Sequence, residues 1–179
     1  MPRVLTPMQR GREGYMEGMV GRIRHTLSLM VLGVMLLSGV DAIAQINAER
    51  VLLMGRNALY YEDYVLAIQR FNLVINAKPW LAEPYFYRGL AKFYLEDYQG
   101  AEIDCGSALE RNPYMGQYYM LRALCSINRG RYVQAETDYV HAIRISPLDK
   151  NSWHNLVLCQ MELKEYARAD SSLDQMIRY

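Results

Sequence analysis

Along residues 48–179, apolar positions recur every three or four residues, the period that lays down one face of an α-helix. Residues 82–95 and 98–111 each carry this period, with polar Glu96 and Asp97 between them. The spacing predicts two amphipathic helices joined by a tight turn. The arrangement then returns along the chain. "YEDYVLAIQRF" begins at Tyr61, "LEDYQGAEIDC" at Leu95, "RGRYVQAETDY" at Arg129 and "LKEYARADSSL" at Leu163, each 34 residues after the last. Tyr64, Tyr98, Tyr132 and Tyr166 share one register, Ala67, Ala101, Ala135 and Ala169 another, and Pro79, Pro113 and Pro147 a third.

Each residue type at these places has a physical task. Alanine leaves room for two helices to approach closely. Proline lacks an N–H and clashes with the preceding turn, so it punctuates the units. A two-helix unit cannot bury its apolar face alone; stacking on its neighbours does that. The glutamate and aspartate of "LEDY" fall at a turn and a helix start, where negative charge is favoured by the helix N-terminus. No partner histidine, metal cluster or nucleophile stands in register with them. The residues therefore predict no catalytic site, no metal site and no cofactor.

With four units in register, the chain resembles the tetratricopeptide repeat family over residues 48–179. The second unit carries Tyr85, Gly89, Phe93, Tyr98, Ala101, Ala108 and Pro113 at the family's places, and the first Gly55, Tyr64, Ala67, Phe71 and Pro79. The third carries Tyr119, Ala123, Tyr132, Ala135, Tyr139, Ala142 and Pro147, and the fourth Trp153, Leu156, Tyr166 and Ala169. Val157 departs from the pattern at a small-residue place and Cys105 at an aromatic one. The resemblance implies an all-α, right-handed α-solenoid of helix-turn-helix repeats, with units at 48–81, 82–115, 116–149 and 150–179. The last stops before its expected proline, which reads as a truncated unit or part of a longer array.

The family's usual ligand surface is a concave groove lined by the first helix of each unit. By register, that lining would be Leu52, Arg56, Leu59 and Tyr60, then Phe86, Leu90, Phe93 and Tyr94. The third unit would add Met120, Leu124, Ile127 and Asn128, and the fourth His154, Leu158, Met161 and Glu162. Some family members grip a peptide's terminal carboxylate there with lysine, arginine and asparagine. These residues are mostly aliphatic and aromatic, which suits an amphipathic helix or an extended apolar peptide. The same side chains would equally serve to pack neighbouring units together.

Two further features belong to the repeat. Arg88 and Arg122 stand where the family places leucine, and the same two units carry Asp104 and Asp138 at one common place. The first and fourth units have Met54 with Arg70 and Leu156 with Ser172 instead. Arginine and aspartate come and go together, which predicts a structural ion pair across each helix pair. Cys105, Cys125 and Cys159 are odd in number and lie within helices, so they read as buried, unpaired thiols.

Residues 1–44 are different in kind. Arg22, Arg24 and His25 precede an uncharged apolar run, residues 27–37, and Ala42 and Ala44 follow with the A-x-A spacing of a cleavage site. That is the layout of a secretory signal peptide. Cleavage after Ala44 would leave Gln45 at the mature N-terminus, and Met1, Met16 or Met19 would be the start. The apolar run falls short of the ~20 residues of a spanning helix; an uncut segment would instead make a membrane-anchored scaffold. The whole chain has 20 Lys+Arg and 19 Asp+Glu; without residues 1–44 it has 15 and 16, net −1. This excludes a broad basic surface, so no nucleic-acid partner is predicted. The sequence reads as a non-catalytic scaffold for a protein or peptide partner, in the periplasm, secreted or at a bacterial cell envelope. The other reading is the sensing or recruiting repeats of a longer enzyme or signalling protein.

Overall fold

In the computed structural model, residue 30 and residues 48–178 are described; apart from residue 30, the expected signal segment and its cleavage point lie outside them. The apolar periods become eight helices: α1 (48–60), α2 (Tyr64–Ala77), α3 (Glu83–Tyr94), α4 (Tyr98–Arg111), α5 (Gly116–Asn128), α6 (Tyr132–Ile145), α7 (Lys150–Glu162) and α8 (Tyr166–Arg178). No strand occurs among the described residues. From α2 onward each helix packs on the next in chain order, and α3 also touches α5; α1 meets α2 where Ala58 clusters with Ala67 and Phe71. The result is an all-α solenoid of four helix pairs.

The turn inside each pair shares one left-handed backbone residue four times, and in the first two pairs an aspartate cap as well. Asp63 and Asp97 cap α2 and α4, accepting hydrogen bonds from the backbone N–H of Leu66 at 3.1 Å and Gly100 at 2.9 Å. One residue earlier the chain passes through the left-handed region: φ is 60° at Glu62, 61° at Glu96, 71° at Gly130 and 61° at Lys164. These positions are 34 residues apart. A single left-handed residue reverses the chain tightly enough for the second helix to fold back on the first.

Close approach follows from the small residues. Ala67, Ala101 and Ala135 are fully buried. A Cβ on Gly55 would lie 2.6 Å from the Phe71 ring, so α1 can meet α2 there only through glycine. The pairs are stitched to one another through their connecting loops. The Tyr85 hydroxyl donates to the Pro79 carbonyl at 3.2 Å, and the Trp153 indole N–H donates to the Pro147 carbonyl at 2.8 Å. These two aromatics share one register and reach the same carbonyl of the preceding unit.

The core runs as a chain of clusters between helices. Ala101, Cys105, Leu121 and Cys125 form one, and Tyr139, Trp153, Leu156 and Cys159 lie at the heart of another. The three cysteines are buried and unpaired. The neighbouring Cys125 thiol, together with burial, pushes the Cys105 thiol well above its ordinary range.

Candidate functional site

The first helices, α1, α3, α5 and α7, carry the predicted groove residues, and the structure sorts these into two kinds. Phe86, Leu90 and Phe93 are half-buried and pack on the Ala101–Cys105–Leu121–Cys125 cluster. Met120 and Ile127 do the same against the cluster around Tyr139 and Trp153; Leu124 is half-buried as well. Leu52 and Leu59 pack on Phe71 and its neighbours. Along the middle of the array, the apolar strip thus spends much of its area between repeats. Helical period alone cannot separate these uses, because the face toward the next unit adjoins the face toward the groove.

Of the predicted groove residues, the exposed apolar ones lie toward the two ends. Tyr60 and Tyr94 are exposed at one, Leu158 and Met161 at the other, where His154 and Glu162 are exposed too. At the first end the side chains converge on a cavity of about 390 Å³ lined by Arg56, Leu59, Tyr60, Tyr87, Leu90 and Tyr94, with Glu62 and Tyr64. Its walls are tyrosine rings. Tyr64 and Tyr94 stack with centroids 5.1 Å apart, and Tyr60 meets Tyr61 edge-on at 5.3 Å. Desolvation, then the charges of Glu62 and Tyr94, hold the Tyr64 phenol above its ordinary value. Arg56 stands 3.6 Å from Glu83, with its guanidinium carbon 5.1 Å from the Tyr87 ring centre. The cavity's one cation therefore has both a carboxylate and a ring for company.

Glu62, Tyr64 and Tyr87 were not among the residues expected here. Tyr87 was legible: it precedes Leu90 by three residues and Tyr94 by seven, a helical face. Glu62 and Tyr64 come from the turn and the second helix. Only the left-handed turn carries them to the cavity's edge.

The arginine–aspartate pairs sit inside the helix pairs, away from this cavity. Arg88 donates to Asp104 through Nε at 2.9 Å and Nη2 at 2.5 Å, and its Nη1 donates to Asn72 Oδ1 on α2 at 2.7 Å. Lys92 Nζ also lies 2.9 Å from Asp104. Asp104 is 1% exposed, so a buried carboxylate is surrounded by cations. Arg122 donates to Asp138 in the same way. Asp138 and burial act oppositely on the Arg122 guanidinium, and the hydrogen bond wins, raising its pKa. Among the described residues no His, Cys, Asp and Glu side chains are grouped so as to hold a metal ion, and no helix is long and apolar enough to cross a membrane.

Stacked helix pairs around a shared core define an α-solenoid repeat protein. The chain carries the tetratricopeptide repeat fold, and solved structures with that architecture match it. No protein-family model matches the sequence, and no curated protein does. MamA superposes with a TM-score of 0.71 at 20% identity, covering 74% of this chain and 77% of that one. The first TPR of Spaghetti (RPAP3), bound to the HSP90 peptide SRMEEVD, gives 0.64 at 21% identity over 65% and 93% of the two chains. The Arabidopsis OM64 TPR domain gives 0.63 at 23% over 64% and 95%.

Proposed function

We propose that the chain is a non-catalytic scaffold that holds an apolar peptide or helix segment of a partner protein in its groove, at the envelope of a bacterium. The observation that carries this reading is the tyrosine-walled cavity between the first two repeats. Tyr60 and Tyr94 offer large, rigid ring surface to solvent, with hydroxyls able to bond a peptide backbone. Aromatic side chains of this kind anchor interfaces far out of proportion to their number. The structural neighbours include a repeat domain bound to a peptide, which supports a peptide partner in general. A carboxylate grip is a poorer fit here. Arg56 faces Glu83, and Glu62 lines the same cavity, so a terminal carboxylate would meet compensated charge. The envelope location rests on the layout of residues 1–44.

A photo-crosslinking residue in place of Tyr94, in the exported protein, tests the groove. The expected product is one crosslinked partner segment, lost when Tyr60→Ala is added. Crosslinking from an outer position such as Gln134, with none from position 94, would overturn the reading.

A further inference from the structure

The fourth repeat differs from the two before it where their ion pairs stand. Leu156 occupies the place of Arg88 and Arg122, and Ser172 the place of Asp104 and Asp138. The exchange removes both charges and much of the volume that closes the space between first and second helices. A cavity of about 390 Å³ lies there, floored by α7 and flanked by α6 and α8. Val140, Ile143, Trp153 and Leu156 give it an apolar lining.

Its two ends are polar and different. At one, Glu136 Oε1 accepts from Gln160 Nε2 at 3.1 Å and forms an ion pair with Arg168 Nη2 at 2.5 Å. Gln160 lines the cavity and is 3% exposed, yet its Oε1 has no donor. Turning the amide over would set two acceptors against each other at Glu136, so the oxygen is the atom left over. At the other end stand Arg144 and Gln175. Arg144 is exposed and forms no ion pair among the described residues. Glu136 and Arg144 are eight residues apart in α6, about 12 Å of helix.

We infer that this cleft is a second binding site, separate from the groove, for a small apolar carboxylic acid that carries an N–H donor. A buried acceptor without a donor is costly, and a ligand N–H removes that cost. The carboxylate lies on Arg144, where a free guanidinium offers a forked pair of donors. Between them the ligand's body rests on Trp153, Leu156 and Ile143. The size suits a single aromatic ring system with a short acid chain, and the pattern of a mostly apolar pocket with few polar groups is that of small-molecule sites.

Indolepropionate is the probe, titrated into the full chain and followed by amide-detected NMR. The Gln160 side-chain amide and the Trp153 indole N–H are expected to shift in a saturable manner. Phenylpropionate, with the same acid and no N–H, is expected to bind about tenfold more weakly, as is indolepropionate to Arg144→Gln. Leu156→Arg with Ser172→Asp rebuilds the ion pair of the earlier repeats, and is expected to close the cleft while helix content persists. Tyr94→Ala in the groove is expected to leave the titration unchanged, so the two sites fail independently. Absence of saturable shifts, equal binding of the two acids, or undiminished binding by a folded double variant would each overturn the site.

Discussion

Arg122 and Asp138 face each other across α5 and α6 through two parallel hydrogen bonds, Nε to Oδ2 at 2.8 Å and Nη2 to Oδ1 at 2.7 Å. The carboxylate is buried and the guanidinium about a third exposed. Removing one partner leaves the other's charge stranded, at a cost of about 3 kcal/mol. Asp138→Ala is expected to lower Tm clearly. Arg122→Leu together with Asp138→Ser copies the pairing that the fourth repeat already uses, and is expected to cost less than the single change. Chemical denaturation of Arg122→Leu, Asp138→Ser and the double variant decides this; a double variant as damaged as the sum of those two singles would refute the coupling.

The left-handed turn gives a second expectation. Glu96 holds φ at 61° and Gly130 holds 71° at the equivalent place. For a residue with a Cβ, the left-handed region costs roughly 1–2 kcal/mol. Glycine escapes this but gives up more freedom on folding. Glu96→Gly is expected to raise stability slightly, by up to about 1 kcal/mol. Gly130→Ala is expected to lower it by about 1 kcal/mol through the backbone alone, because an added Cβ there meets nothing within 4 Å. A loss of stability in Glu96→Gly, or no loss in Gly130→Ala, would mean that the turn relaxes to another conformation.

Much of this architecture was readable in advance because the repeat is strict. Alanine at 67, 101, 135 and 169 announces where helices close on each other, and α4 begins and ends where its apolar period does. The turn conformation was hidden: only Gly130 advertises it, while Glu62, Glu96 and Lys164 conceal it behind ordinary helix formers. The Gln160–Glu136–Arg168 network was hidden for the opposite reason. It occurs once, from residues whose equivalents Ser126, Glu102 and Gln134 do not form it, so repetition could not flag it. The strip Phe86, Leu90 and Phe93 recurs at helical spacing in α3, but whether that face meets water or a neighbour depends on helix spacing.

Cys159 supplies a pH dependence. Burial, with Glu136 and Glu162 adding to it, pushes its thiol up from 9.0 to about 11. The folded state keeps a proton that the unfolded state releases first. The stabilisation is therefore whole below pH 9 and is lost as pH rises toward 11. Tm is expected to fall with alkalinity, and to fall less steeply in Cys159→Ala whatever that variant's starting value. Parallel slopes for the two proteins would rule out Cys159 as a source.

Processing gives a direct check on location. If residues 1–44 act as an export signal, N-terminal sequencing of the mature protein starts at Gln45. Intact residues 1–44 on a membrane-bound product would instead identify an anchor.

The groove is tested by separating its two kinds of residue. Phe93 is half-buried, meets Tyr98 edge-on at 5.5 Å and packs on the Cys105–Cys125 cluster. Phe93→Ala leaves a hole between the second and third repeats and is expected to cost about 2 kcal/mol or more. Tyr94, its neighbour in sequence, is 54% exposed and loses chiefly its stack on Tyr64. Tyr94→Ala is expected to cost under about 1 kcal/mol, and Tyr60→Ala still less, since that ring is 81% exposed. Capture of a groove peptide should respond in the reverse order, because an anchor contributes about 2 kcal/mol or more where it is desolvated by the partner. The double variant of Tyr60 and Tyr94 should therefore remain folded, by circular dichroism and Tm, while peptide affinity falls at least thirtyfold by that figure. Undiminished affinity in that folded variant would move the binding surface away from the tyrosine-walled cavity, toward the exposed Leu158 and Met161 at the other end of the array.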